Sequence, residues 1–223
     1  FEPMVIAAKK NGVKRFIYAS TSSVYGVSDK KNVKEDHPLV PLTLYNKYKG
    51  LCEPLLFKHQ TEDFVCTVIR PATLCGCAPR QRLDLTVNIL TNWAINRRKI
   101  TVFGGSQLRP NLHIQDMCDL YKKLLIEDRA KIRGQTFNVG YQNMSVMDIA
   151  LLVKRIVQEE TPGDADIRIE QSSSDDLRSY HINSEKIRET IGFTPKYTIE
   201  DAVRELCEAF KENKLPLSFD DDQ

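Results

Sequence analysis

The sequence predicts an α/β protein built on a parallel sheet, and three observations predict it. Short apolar runs rich in β-branched and aromatic residues alternate with longer segments of helical period. Glycine and proline punctuate the joins between them. At 223 residues the chain is long enough to bury a real core, as one large domain or one and a half.

Taken in order, residues 1–11 read as a helix leading into an apolar strand at 16–19, expected to be buried. Ser20, Thr21, Ser22 and Ser23 follow as a hydroxyl-rich turn. The next helix starts near Leu44 and carries Tyr45 and Lys49. Pro54 in its third turn removes a backbone hydrogen bond and is expected to kink it after Glu53. Residues 64–69 form a second buried strand. Residues 84–98 are amphipathic, with Leu85, Leu90, Ala94 and Ile95 among the apolar positions. A strand at 100–103 ends in the Gly104-Gly105 turn.

Further on, 116–127 is a helix with Met117, Leu120, Leu124 and Leu125 at inward spacing. His113 and Asp116 before and at its start take structural roles, the aspartate as a helix cap. A strand at 135–139 precedes Ser145 and Asp148, a capping-box pair opening a helix through Val153 and Ile156. A short strand at 167–169 runs into a polar stretch at 171–176. Gly192 closes a short helix, with Pro195 after it. Thr198 and Asp201 repeat the capping box before a last helix with Val203, Leu206 and Phe210. Residues 219–223 form an acidic tail expected to fray.

Composition narrows the function. With 32 basic against 30 acidic residues, net charge gives no support to a nucleic-acid or membrane-surface partner. No apolar run approaches the length of a membrane span, and Phe1 opens no signal-peptide pattern. Six cysteines scattered through apolar segments read as reduced, buried thiols of a cytoplasmic protein. Cys75 and Cys77 without a second ligand pair make a poor metal signature, so no metal is expected.

The chemistry is concentrated at Tyr45 and Lys49. Four residues apart on a helix, they share one face and so one site. Tyrosine is ordinarily a poor base near neutral pH, with an unperturbed pKa of about 10. A neighbouring ammonium together with an oxidised nicotinamide ring favours the phenolate and makes Tyr45 a usable general base. A hydroxyl in the preceding turn, Thr21 or else Ser20, Ser22 or Ser23, would hold the oxygen that Tyr45 deprotonates. That is the apparatus for taking hydride and proton from an alcohol carbon.

These residues, with the Val24-Tyr25-Gly26 turn, resemble the extended short-chain dehydrogenase/reductase family, its nucleotide-sugar epimerases and dehydratases in particular. Further matches are Arg70-Pro71-Ala72-Thr73, residues 100–105, residues 109–116, residues 137–140 and Gly192-Phe193-Thr194-Pro195. The resemblance implies part of a doubly wound, Rossmann-like parallel sheet over 1–77 and a smaller α/β nucleotide-sugar domain over 78–223, with 111–141 a candidate to return to the first. It implies Thr21, Tyr45 and Lys49 as catalytic residues. It places Ala19, Ser20, Pro71, Tyr45 and Lys49 at the cofactor, NAD, with NADP left open. It assigns Thr73, Arg82, Asn88, Thr101, Phe103, Arg109 and Arg178 to a nucleoside-diphosphate sugar, the arginines suiting the diphosphate. A homodimer through the first helix and the Tyr45 helix is implied too.

The ten glycines never form the glycine-rich turn that grips a dinucleotide pyrophosphate. In the family that turn lies ahead of the residues matched here, so the isolated chain is expected to bind NAD weakly. A catalytically inactive, truncated binding module is therefore the second reading. The first is a 4-epimerase acting through a 4-keto sugar, and a 4-dehydrogenase or ketoreductase would use the same Tyr and Lys. Against a 4,6-dehydratase stand Ser22 and Ser23, where such relatives carry an Asp and a Glu as acid and base.

Overall fold

The computed structural model describes residues 1–28, 30, 32–173, 179 and 181–215. In chain order it contains α1 (Glu2–Lys10), β1 (Arg15–Ala19), a 3₁₀ turn (Ser22–Tyr25), α2 (Leu44–Phe57), β2 (Val65–Pro71) and β3 (Thr73–Cys75). Then come α3 (Thr86–Arg97), β4 (Lys99–Phe103), β5 (Leu108–His113), α4 (Ile114–Ile126), α5 (Arg129–Ile132) and β6 (Gln135–Val139). The rest is β7 (Gln142–Ser145), α6 (Val146–Glu160), β8 (Arg168–Ser172), α7 (Glu185–Ile191) and α8 (Ile199–Lys211). The chain divides into two compact units. One is Phe1–Ala72 with Met117–Gly140 and Arg178–Thr194, the other Thr73–Asp116 with Tyr141–Leu177 and Pro195–Gln223.

The first unit is organised by a parallel sheet in the order β1-β2-β6. Ile17 stands opposite Thr67, and Ile69 opposite Phe137. β2 is the centre strand and is buried from Val65 to Arg70. β1, expected to be buried, is only half-buried along its whole length. Val5 of α1 and Leu56 of α2 pack on Phe64, Cys66 and Val68. Thr43 caps α2 by accepting the Asn46 amide at 3.2 Å. The kink expected at Pro54 does not end the helix, which runs on to Phe57. Pro54 still accepts the Lys58 amide at 3.1 Å, and the buried Glu53 and Leu56 hold that turn against the sheet.

The second unit holds two smaller sheets. β5 pairs parallel with β3 and antiparallel with β7, and β4 pairs parallel with β8. Its core gathers Val87, Leu90 and Ala94 of α3, Ile100 and Val102 of β4, and Ile149, Val153 and Ile156 of α6, with Ala202 and Val203 of α8. The sequence reading missed β3, β5, β7 and α5. In β5 the buried positions include Arg109, Asn111 and His113, so no apolar alternation announces it. β8 extends into the stretch taken as polar, pairing through Gln171 and Ser172. α3 begins two residues later than expected, Asp84 being paired with Arg82.

Caps show where local chemistry decided and where it did not. Thr198 and Asp201 complete a full capping box on α8. At α6, Ser145 accepts the Asp148 amide at 3.0 Å but donates its own hydroxyl to that carboxylate, so only half the box forms. Gly192 ends α7 at φ +66°. Asp116 was expected to cap the helix that follows, and it does not. α4 starts earlier, where His113 Nδ1 accepts the Gln115 amide at 3.1 Å. The Asp116 carboxylate instead accepts the amides of Lys196 and Tyr197 at 2.9 and 3.0 Å, bracing the lead into α8.

All six cysteines are unpaired thiols. Cys66, Cys75 and Cys207 are buried, but Cys118 is exposed, against the expectation of burial throughout. Burial pushes Cys75 up to about 12, which keeps that thiol protonated. Among the described residues no helix is long and apolar enough to cross a membrane. The acidic tail at 219–223 lies outside the described residues.

Gly26 closes the hydroxyl-rich turn at φ +70°, where an added Cβ would lie 2.0 Å from the Val40 carbonyl oxygen. Gly26→Ala is expected to cost more than about 2 kcal/mol, from left-handed backbone strain plus that clash. Urea unfolding checks it, and a loss under about 0.5 kcal/mol would contradict the tightness of the turn.

Candidate active site

Tyr45 and Lys49 occupy successive turns of α2, and Tyr45 is 62% exposed, so its ring is open to a ligand. Lys49 is half-buried. Its ammonium donates to the Ala19 carbonyl at 2.5 Å and lies 5.0 Å from the Tyr18 ring centroid and 5.8 Å from that of Tyr45. Burial lowers the Lys49 pKa from its ordinary value, opposed by the nearby Cys52 thiol. Tyr18 donates to the Lys49 carbonyl at 3.2 Å. Its own pKa is raised, first by burial and then by Cys52, Glu53 and Tyr45. The end of β1 thus meets the turn of α2 that carries the lysine.

Thr21 opens the 3₁₀ turn. Its Oγ1 accepts the Ser23 amide at 3.2 Å and donates to Ser23 Oγ at 3.3 Å. Ser22 is buried. Ser20 is also buried, with its amide on the Ile69 carbonyl at 2.8 Å and its hydroxyl without a hydrogen-bond partner among the described residues. Pro71 ends β2 opposite Val139. Thr21, Ser20, Ala19, Pro71, Tyr45 and Lys49 therefore all belong to the first unit, and Lys49 is bonded directly to Ala19.

A buried polar network in the same unit escaped the sequence reading. Arg70 makes a fork with Glu53, Nε to Oε1 at 3.0 Å and Nη2 to Oε2 at 2.6 Å. Its Nη1 donates to the Tyr25 hydroxyl at 2.7 Å and to the Glu35 carbonyl at 2.9 Å. Tyr25 in turn donates to Asn138 Oδ1 at 2.7 Å, and Glu35 Oε1 accepts the Asn138 amide at 2.7 Å. Tyr25 is fully buried and works through its hydroxyl. Burial pushes it up to about 12, against the Arg70 charge and hydrogen bond. Two signals were in the sequence: a lone arginine ending an apolar strand, and a glutamate four residues after Lys49 on one helix face.

The residues assigned to a nucleotide sugar lie in the second unit, apart from Arg178, which falls outside the described residues. Arg109 is buried on β5 opposite Met144, with Nη1 on the Leu108 carbonyl at 3.1 Å. Asn88 braces the loop before α3, accepting the Gly76 amide at 3.1 Å and donating to the Arg82 carbonyl at 2.8 Å. Arg82 pairs with Asp84 through Nε at 2.9 Å and Nη2 at 2.5 Å. Thr73 is on β3 opposite Asn111, and Thr101 on β4 opposite Glu170. Phe103 is exposed and meets Trp93 edge-on at 6.4 Å. A groove of about 540 Å³ elsewhere in this unit is lined by α8 side chains such as Arg204, Glu205 and Glu208, and among the described residues none of those predicted for the site lines it.

A family model described as the NAD dependent epimerase/dehydratase family matches residues 2–140, the stretch that holds Thr21, Tyr45, Lys49, Arg70 and Arg109. The chain belongs to the NAD dependent epimerase/dehydratase family.

Family members of both kinds are among its relatives. It is 26% identical over 220 residues to the dTDP-D-glucose 4,6-dehydratase of Bos taurus, covering 94% of this chain and 59% of that protein. With the UDP-glucose 4-epimerase of Azospirillum brasilense it shares 24% over 215 residues, 88% of this chain and 60% of the other. The UDP-glucuronic acid 4-epimerase of Bacillus cereus, solved with UDP-glucuronic acid and NAD, superposes at a TM-score of 0.80 with 24% identity, over 95% of this chain and 66% of its own. This chain of the NAD dependent epimerase/dehydratase family thus has the Rossmann-like α/β fold expected of it, and spans less than two thirds of those curated relatives.

Proposed function

We propose that this chain carries the base and the sugar-binding residues of an NAD-dependent nucleotide-sugar 4-epimerase that works through a transient 4-keto sugar. One observation carries the reading: an exposed Tyr45 beside Lys49, a hydroxyl turn at the end of β1, and no carboxylate at positions 22 and 23. The residues present fit the nicotinamide end of NAD. Ser20 offers a buried hydroxyl that lacks a partner among the described residues, and Lys49 offers donors beyond the one given to Ala19. Lys49, Ser20 and Tyr45, with the backbone at Ala19 and Pro71, would hold it. When bound, NAD supplies a reversible hydride acceptor at the sugar C4.

The chain's own groups manage the proton. Tyr45, as phenolate, takes the proton of the sugar 4-hydroxyl while Thr21 holds the same oxygen. Lys49 steadies the negative charge on the phenolate. After the 4-keto sugar presents its other face, Tyr45 returns the proton to the oxygen. Similarity alone leans toward dehydration, since the Bos taurus relative is a 4,6-dehydratase. Chemistry leans the other way. Ser22 is buried and Ser23 is bonded to Thr21, and neither hydroxyl has the acidity or basicity to expel the 6-hydroxyl as water.

A version of the protein that also carries the glycine-rich dinucleotide turn, loaded with NAD, is to be incubated with UDP-glucose and with dTDP-glucose, and the sugars read by NMR. Inversion at C4 is expected. A 4-keto-6-deoxy product would overturn the reading in favour of dehydration, and a 4-keto sugar accumulating with NADH would replace it with a dehydrogenase.

Two substitutions separate chemistry from grip. Thr21→Val is expected to lower kcat about tenfold to a thousandfold, the loss of one oriented donor worth about 1.5–4 kcal/mol. Arg109→Ala is expected to weaken nucleotide-sugar binding about ten- to a hundredfold with little change in kcat, its assigned partner being the diphosphate. Calorimetry and steady-state kinetics check both, and a reversal of the two patterns would contradict the assignments.

The assembly proposed is a homodimer through α1 and α2. Met4 on the first helix and Leu44, Tyr48 and Leu51 on the second are large, apolar and exposed. Sedimentation is expected to give a dimer at micromolar concentration, and a monomer there would count against it.

A further inference from the structure

We infer that Arg70 is the positioning residue of this site: its buried guanidinium ties the helix bearing Tyr45 and Lys49, and the turn bearing Thr21, to one central strand. The inference deepens the proposed function and rests on its assignment of those three residues. Arg70 sits on β2, the middle strand of the sheet, and its side chain is almost wholly removed from water, as is that of Glu53. Glu53 lies one helical turn beyond Lys49 and two beyond Tyr45, on the same stripe of α2. The fork of Arg70 on Glu53 therefore fixes both the height and the rotation of that stripe above the strand.

The second arm of the same guanidinium reaches the hydroxyl turn. Tyr25 is the last residue of the 3₁₀ turn that Thr21 opens, and its hydroxyl accepts from Arg70 while donating to Asn138 on β6. Base and hydroxyl partner are thus referred to one planar group with four hydrogen bonds made. The clamp also falls where α2 is weakest. Pro54, next to Glu53, supplies no amide to the helix, so the ion pair holds a turn that backbone bonding holds less well. Lysine could not replace the arginine, because a point charge lacks the fork and the third direction.

The first test needs no turnover. In the chain labelled at the lysine Cε carbons, the Lys49 resonance is followed against pH. In the unsubstituted chain it is expected to titrate below the exposed lysines. In Glu53→Gln and Arg70→Lys it is expected to rise and join them as water reaches the ammonium. Glu53→Gln keeps side-chain volume, so it decides the matter should Arg70→Lys fail to fold. An unmoved Lys49 in Glu53→Gln overturns the inference.

The second test uses Tyr25→Phe, which keeps the ion pair and cuts only the link to the turn. Its kcat is expected to fall on the order of ten- to a hundredfold with KM unchanged, and to fall little further when combined with Thr21→Val. Additive losses would show that Tyr25 does not act through Thr21 and would overturn that arm. Tyr45→Phe is the control. If it keeps full turnover the base assignment fails, while the lysine titration still judges Arg70.

Discussion

In a version of the protein that also carries the glycine-rich dinucleotide turn, Tyr45→Phe is expected to lower turnover roughly 10²–10⁴-fold while leaving nucleotide-sugar affinity nearly intact. The substitution removes one oxygen and keeps the ring. The ring is 62% exposed, so its loss of hydroxyl disturbs no core contact and stability should hold. What goes is the acceptor for the sugar hydroxyl proton, a group used only as the C–O proton leaves. An effect of this size corresponds to about 3–5 kcal/mol of barrier. Steady-state kinetics beside calorimetry on the nucleotide sugar separate the two quantities. If Tyr45→Phe kept most of its activity while a histidine or cysteine substitution abolished it, the base would have to be sought elsewhere.

Lys49→Met is expected to do comparable damage, for two reasons that the geometry keeps together. The ammonium lies 5.8 Å from the Tyr45 ring and is the positive charge proposed for the phenolate. It also carries hydrogens beyond the one on the Ala19 carbonyl, available to the nicotinamide ribose. Methionine keeps the length of the side chain and none of its charge. Stability should hold or rise slightly, because burial works against the charged form of Lys49 in the folded chain. Steady-state kinetics check it, and a Lys49→Met variant that kept most of its turnover would overturn the role given to Lys49.

Much of the first unit was legible before the fold. The Phe-Ile-Tyr-Ala and Val-Cys-Thr-Val-Ile runs read as strands and pair in parallel as expected. In the second unit the Thr198 and Asp201 box, and in the first the glycine at 192, marked helix ends that the structure keeps. Such signals are local: a side chain meets a backbone amide a few residues away, so spacing suffices to find them. β5 was not legible for the opposite reason. It is buried on both faces between β3 and β7, which lie far off in sequence, and with Arg109, Asn111 and His113 among its buried positions no period of two betrays it.

The sequence by itself determined the family, the α/β class and the pairing of Tyr45 with Lys49, since four residues on a helix is a fixed geometry. It also settled that Ser22 and Ser23 carry no carboxylate beside Thr21. Only the tertiary structure decided what holds those groups. Glu53, Arg70 and Tyr25 are far apart along the chain, and any one of them could have been a solvated side chain. A charge buried in a strand must find its counter-charge and its remaining hydrogen bonds in space, and here it finds them on the helix and the turn that bear the site.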